Sequence, residues 1–143
     1  MINKVILAIL VCLNLFNCAY AENNISVSID NNPITFDVEP KITSGRTFVP
    51  MRKIFEELGC DVEWIGEEQI ILATNGSNII MLKIGSNILI IQDVLSDENE
   101  VVEMDVAPFI ENGRTLVPIR AVSEALSCKV EWNEQNREVI ITR

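Results

Sequence analysis

The side chains able to do chemistry in this sequence are an uneven set. Against 21 Asp and Glu stand 11 Lys and Arg, and histidine is absent. Copper(II) and catalytic zinc sites draw on imidazole, as do most general acid–base and nucleophilic arrangements. What remains is carboxylates, arginines and two tryptophans. Glu63 and Glu131 flank Trp64 and Trp132, and paired acids can hydrolyse glycosides. On an extended strand each glutamate points away from its tryptophan, so solvent is its expected place. Arg46 and Arg114 follow Gly45 and Gly113. They suit an anion clamp, or a structural bond to Asp37, Asp105 or nearby carbonyls, and the structural reading is favoured. Trp64 and Trp132 offer faces on which sugars stack, yet each shares its strand face with Val62 or Val130, which favours the core. Asp93, Asp97, Glu98 and Glu100 supply oxygen ligands of the kind calcium takes, without the EF-hand order. They read as a solvated acidic loop and are the candidate ligand surface. No catalytic residue, metal ligand or cofactor site is assigned.

The elements that position these residues are written twice. Gly45-Arg46-Thr47-Phe48-Val49-Pro50-Met51-Arg52 returns sixty-eight residues later as Gly113-Arg114-Thr115-Leu116-Val117-Pro118-Ile119-Arg120. Between 45–64 and 113–132, twelve of twenty positions are identical, and no gap is needed. Asp37, Val38 and Pro40 superpose on Asp105, Val106 and Pro108 at the same offset. Self-similarity at a fixed period dictates architecture, and here it implies a duplication, with repeat one at about 25–74 and repeat two at about 78–143.

Residues 1–21 read as a signal peptide. A basic start at Lys4 precedes the apolar run Val5–Phe16, and Ala19-Tyr20-Ala21 ends it with small residues. Leu15-Phe16-Asn17-Cys18 departs from a lipoprotein box at Phe16 and Asn17, where small residues are wanted. The mature chain, 22–143, carries 10 basic and 21 acidic residues, a net −11. Such a charge argues against nucleic acid and anionic membrane as partners. No second apolar segment offers a transmembrane anchor after cleavage. Cys60 and Cys128 occupy one position in the two repeats and read as buried free thiols, although one disulfide is arithmetically open.

Alternation predicts a strand at Ile25–Ile29, paired through a turn at Asp30–Pro33 with Ile34–Phe36. Asp37–Ser44 reads as a polar connection. Pro50 is expected to open a helix whose stripe is Met51, Ile54, Phe55 and Leu58, with Gly59 as its left-handed cap. Arg52 and Glu56 stand at i, i+4, as do Arg120 and Glu124. Val62–Trp64 with Ile70–Leu72, Ile79–Ile84 with Ile88–Ile91, and Val130–Trp132 with Val139–Thr142 read as hairpins. The two middle strands are apolar enough to suggest a central place or cover on both faces. Gln92–Glu100 reads as an acidic loop. Ser127 replaces the capping glycine, which suggests a differently shaped helix end. The expected fold class is α+β: two fused strand–strand–helix–strand–strand repeats, with antiparallel sheets packed on two short helices.

The block Gly-Arg-Thr-Leu-Val-Pro-Ile-Arg, then a helix ending Glu-Ala-Leu, then Val-Glu-Trp, resembles the copper amine oxidase N-terminal-like domain, also described as a stalk domain. The resemblance spans residues 25–143 and both repeats. It implies a small α+β appendage away from any active site, and bacterial relatives that are exported and joined to wall-associated modules. It carries no catalytic residues. An amine oxidase centre also needs a modified tyrosine beside a histidine-held copper, and the only tyrosine here is Tyr20, in the signal peptide. The expected function is a secreted, non-enzymatic, stalk-like structural or interaction module of the bacterial cell envelope. Its partner would be a cell-wall component or an extracellular protein. The alternative is a binding protein for wall polysaccharide or peptide, and a third reading is a hydrolase using carboxylates alone.

Overall fold

The computed structural model describes residues 24–143, in which thirteen strands and two short helices form. The signal peptide expected at 1–21, with Cys12, Cys18 and Tyr20, lies outside the described residues. β1 (Ser26–Ile29) turns through Asp30 and Asn31, at φ 49° and 66°, into β2 (Asn32–Pro33). The return strand therefore starts two residues before the expected Ile34–Phe36, because a two-residue turn sets the register. The expected connection at 37–44 also contains a strand. β3 (Lys41–Thr43) and β4 (Arg46–Pro50) form a hairpin over Ser44 and Gly45, at φ 52° and 71°. β10 (Phe109–Glu111) and β11 (Arg114–Pro118) do the same over Asn112 and Gly113, at φ 50° and 74°. Positive φ at both central residues gives the turn a twist that matches its strands.

Pro50 and Pro118 end their strands and cap the helices with extended ψ of 123° and 116°. The helices thus begin one residue later than expected, as α1 (Met51–Glu57) and α2 (Ile119–Ala125). Met51, Ile54 and Phe55 are buried, as the stripe requires. After α1, Gly59 adopts φ 85°, with its N–H on the Glu56 carbonyl (3.0 Å) and the Cys60 N–H on that of Phe55 (2.9 Å). After α2, Ser127 adopts φ 62°, with its N–H on Glu124 (2.9 Å) and the Cys128 N–H on Ser123 (3.0 Å). Both ends are the same Schellman cap. The different shape expected at Ser127 does not occur, because two backbone bonds hold serine in the left-handed region.

β5 (Asp61–Ile65), β6 (Ile70–Thr74), β7 (Asn78–Lys83), β8 (Ile88–Asp93) and β9 (Asn99–Glu103) make one antiparallel sheet in that order. The expected acidic loop at 92–100 is therefore only the tip of a hairpin. β12 (Lys129–Asn133) and β13 (Glu138–Thr142) lead a second sheet, ordered β12-β13-β1-β2. There β1 runs parallel to β13, a departure from the all-antiparallel expectation that brings the first strand beside the last. The third sheet is β10-β11-β4-β3. The class is α+β, with mostly antiparallel sheets and two short helices.

The run β3, β4, α1, β5, β6 corresponds to β10, β11, α2, β12, β13, every boundary displaced by sixty-eight residues. β4 and β11 pair as Phe48 with Pro118, Val49 with Val117 and Pro50 with Leu116, a register symmetric about Val49 and Val117. Each helix lies on the hairpin that follows it and on the other run's central strand: α1 on β5 and β11, α2 on β12 and β4. The buried cluster joins Val49, Val117, Ile54, Phe55, Ile71 and Ile141 with Cys60 and Cys128. Each large apolar side chain in it contributes about 1.5–3 kcal/mol of burial.

β7 and β8 take the central place expected of them, third and fourth of the five strands, and among the described residues they are covered on one face. Ile80, Leu82 and Leu89 are buried inward, while Met81, Ile88 and Val101 are exposed.

Candidate functional site

Two clefts lie in corresponding places. The larger, about 660 Å³, sits between α2 and the β8–β9 hairpin, with Ile91, Val102 and Met104 as its apolar wall. The smaller, about 520 Å³, sits beside α1 and is lined by Asp37, Arg52, Trp64 and Arg114. Both are bordered by an arginine from the other run. Arg46 Nε donates to Asp105 Oδ2 at 3.0 Å, with a second bond from Nη2, and Arg114 Nη2 donates to Asp37 Oδ2 at 2.8 Å. The pairs are reciprocal, because Asp37 and Asp105, like Arg46 and Arg114, stand sixty-eight residues apart. They tie the N-terminal run to the C-terminal one. With 48–69% of these side chains exposed, each pair contributes at most about 1 kcal/mol.

Arg52 and Arg120 are occupied in the same manner. Each faces its i+4 glutamate, Glu56 at 3.6 Å and Glu124 at 3.3 Å. Each also donates to a strand carbonyl, Arg52 to Val62 at 3.3 Å and Arg120 to Val130 at 3.0 Å. Those carbonyls belong to β5 and β12, which are outermost in their sheets.

The tryptophans are half-buried and packed against the core. Trp64 also lines the smaller cleft, while Trp132 Nε1 donates to Glu134 at 2.5 Å. Glu63 and Glu131 are exposed. Lys129, 2.8 Å from Glu131, holds that carboxyl below the ordinary range, the opposite of what a general acid needs. Among the described residues Cys60 and Cys128 are free and buried. Burial, then Asp61, pushes the Cys60 thiol up to about 11. Cys128 is raised as well, chiefly by burial, so neither is an activated nucleophile.

Of the candidate acidic residues, Asp93, Glu98 and Glu100 line the larger cleft and Asp97 does not. Asp93 Oδ1 accepts the N–H groups of Leu95 (2.8 Å) and Ser96 (2.9 Å), which hold its carboxyl below the usual value. Asp97 accepts from Gln92 Nε2 at 2.8 Å. Two of the four are thus engaged in shaping the hairpin tip. Among the described residues, no three Cys, Asp or Glu side chains converge into a metal-holding group. What sequence reasoning missed is the far side of the cleft, Ile91, Val102 and Met104, because the start of β9 was read as part of the 92–100 loop and 101–103 were given no element.

A family model for the copper amine oxidase N-terminal domain matches residues 28–141. The chain belongs to that family. The N-terminal domain of copper amine oxidases is a non-catalytic accessory domain, which agrees with motif arginines that are engaged structurally. The copper of the family name does not fit the residues present: the sequence has no histidine, and the described residues gather no ligand set. No curated protein matches the chain.

Proposed function

We propose that this chain is an exported, non-catalytic interaction module of the bacterial cell envelope. It is built from two repeats of one unit, about 25–74 and 78–143, after removal of residues 1–21. The observation that carries the reading is the use made of the repeated arginines. Arg46 and Arg114 bind the opposite run's aspartate, and Arg52 and Arg120 hold strand carbonyls. A motif spent on scaffold leaves recognition to the surface. Its partner is a wall component or an extracellular protein. A second reading, binding of wall polysaccharide, is supported by Trp64 on the smaller cleft.

Fractionation of the producing cells, with the N-terminal residue of the recovered protein determined, tests the proposal. Protein beginning at Glu22 outside the cytoplasm is expected. Protein retained inside and still carrying residues 1–21 would overturn it. Quenching of Trp64 fluorescence by wall sugars, lost in Trp64→Phe, would favour the second reading.

A further inference from the structure

Sheet edges invite pairing, and proteins guard them with charged side chains, proline or brevity. Most outer strands here are guarded in one of these ways. β5 and β12 have Arg52 and Arg120 on a carbonyl, β2 is two residues including Pro33, and β3 and β10 are three residues each. β9 differs. It is five residues long, among the described residues pairs with β8 alone, and its guards are the carboxylates Glu100 and Glu103, which repel another acidic strand but not a basic one.

Its hydrogen-bonding parity can be read from its ends. Met104 N–H reaches the Asn87 carbonyl at 2.7 Å, and the Glu98 carbonyl accepts from Asp93 N–H at 2.9 Å. In an antiparallel ladder the bonded pairs alternate. The even-numbered residues therefore face β8, and Asn99, Val101 and Glu103 turn their N–H and C=O groups outward. Apolar surface lies on both sides of this edge. Val101 is 64% exposed and continues a row through Ile90, Met81 and Leu72 on the uncovered face. On the other side, Ile91 and Val102 wall the larger cleft.

Charge selects the occupant. The larger cleft sets two arginines against six carboxylates, a net −4, whereas the smaller sets Arg52, Lys53 and Arg114 against Asp37 and Glu56, a net +1. Among the described residues, Glu98, Glu100 and Glu103 form no ion pair. A second copy pairing its β9 here would bring these like charges together.

We infer that the outer edge of β9 takes an extended segment of a partner protein as a sixth strand, and that this segment alternates apolar with basic residues. Its backbone would bond Asn99, Val101 and Glu103. Alternate residues of a strand point to opposite faces, so its apolar side chains would cover Val101 on the uncovered face and its cations would meet Glu98 and Glu100 on the cleft face. Strand addition of this kind takes affinity from main-chain bonds and specificity from side chains. The inference deepens the interaction-module reading and rests on it.

The test uses protein recovered from culture and an end-blocked heptapeptide alternating lysine with valine, with a glutamate–valine peptide as control. Amide exchange at Asn99, Val101 and Glu103 should slow with the lysine peptide and not with the control. Val101→Pro removes an outward N–H while sparing the ladder to β8, and should weaken binding about tenfold. Glu100→Lys, which leaves the backbone intact, should weaken it too. The inference is overturned by an absence of binding, by binding unchanged in Val101→Pro, or by self-association through β9 in sedimentation. A cytoplasmic protein that still takes up the peptide would overturn the envelope reading alone. An exported one whose β9 ignores the peptide would overturn only this inference.

Discussion

Ser127→Gly should stabilise the protein. Ser127 sits at φ 62° after α2, where its counterpart Gly59 sits at φ 85° after α1. An L-residue in the left-handed region costs about 1–2 kcal/mol. Glycine returns about 0.4–1 kcal/mol of that through the greater freedom it gives the unfolded chain. The net gain is about 0.5–1 kcal/mol, or about 2–4 °C in Tm for a domain of this size. The reverse change provides the internal control. A Cβ built on Gly59 meets nothing within 4 Å, so Gly59→Ser carries the backbone penalty without a clash and should lose a similar amount. Urea and thermal unfolding followed by Trp64 and Trp132 fluorescence would measure both. If Ser127→Gly were neutral or destabilising while Gly59→Ser lost stability, the two helix ends would not be equivalent, and the shared-cap argument would fail.

Other expectations follow from the same geometry. Arg114→Ala should cost at most about 1 kcal/mol, and a double-mutant cycle with Asp37→Ala should recover most of it; a coupling near zero would remove the tie between the runs. Among the described residues Ser123 is fully buried with no partner for its Oγ, at the place where the first run has Phe55. Ser123→Ala should therefore raise stability by about 1 kcal/mol, and a loss in urea melts would show that the hydroxyl is satisfied. The Cys60 thiol is raised in the folded state, so its contribution is complete below the unfolded value near 9 and is lost as pH climbs to about 11. Stability measured by urea unfolding should fall across that window by an amount on the order of 2 kcal/mol, and the fall should shrink in Cys60→Ala.

The repeated block made much of the fold legible. Once Pro50 and Pro118 were aligned, the helices, their stripes and the hairpins after them followed from periodicity, and the recurring arginine–aspartate spacing pointed to the pairs that form. The misses have local reasons. β3 and β10 are short and exposed, so their residues alternate weakly, although Asn112-Gly113 carried a hairpin signal. β9 holds Asn99, Glu100 and Glu103, which composition assigns to loop, and becomes a strand only because Ile88–Gln92 offers it an edge. The parallel pairing of Val27 with Val139 joins residues 112 apart, beyond any local pattern. The larger cleft was hidden for the same reason as β9, since its apolar wall exists only when that strand is in place.

The central claim is that the chain acts at the bacterial cell envelope by recognising a partner held at the cell wall. Co-sedimentation of the protein recovered from culture with the producing organism's cell walls, at low and high salt, tests it most directly. Retention in the pellet at high salt is the predicted result for a specific wall component, and loss to the supernatant at both salt concentrations would contradict a wall-bound role.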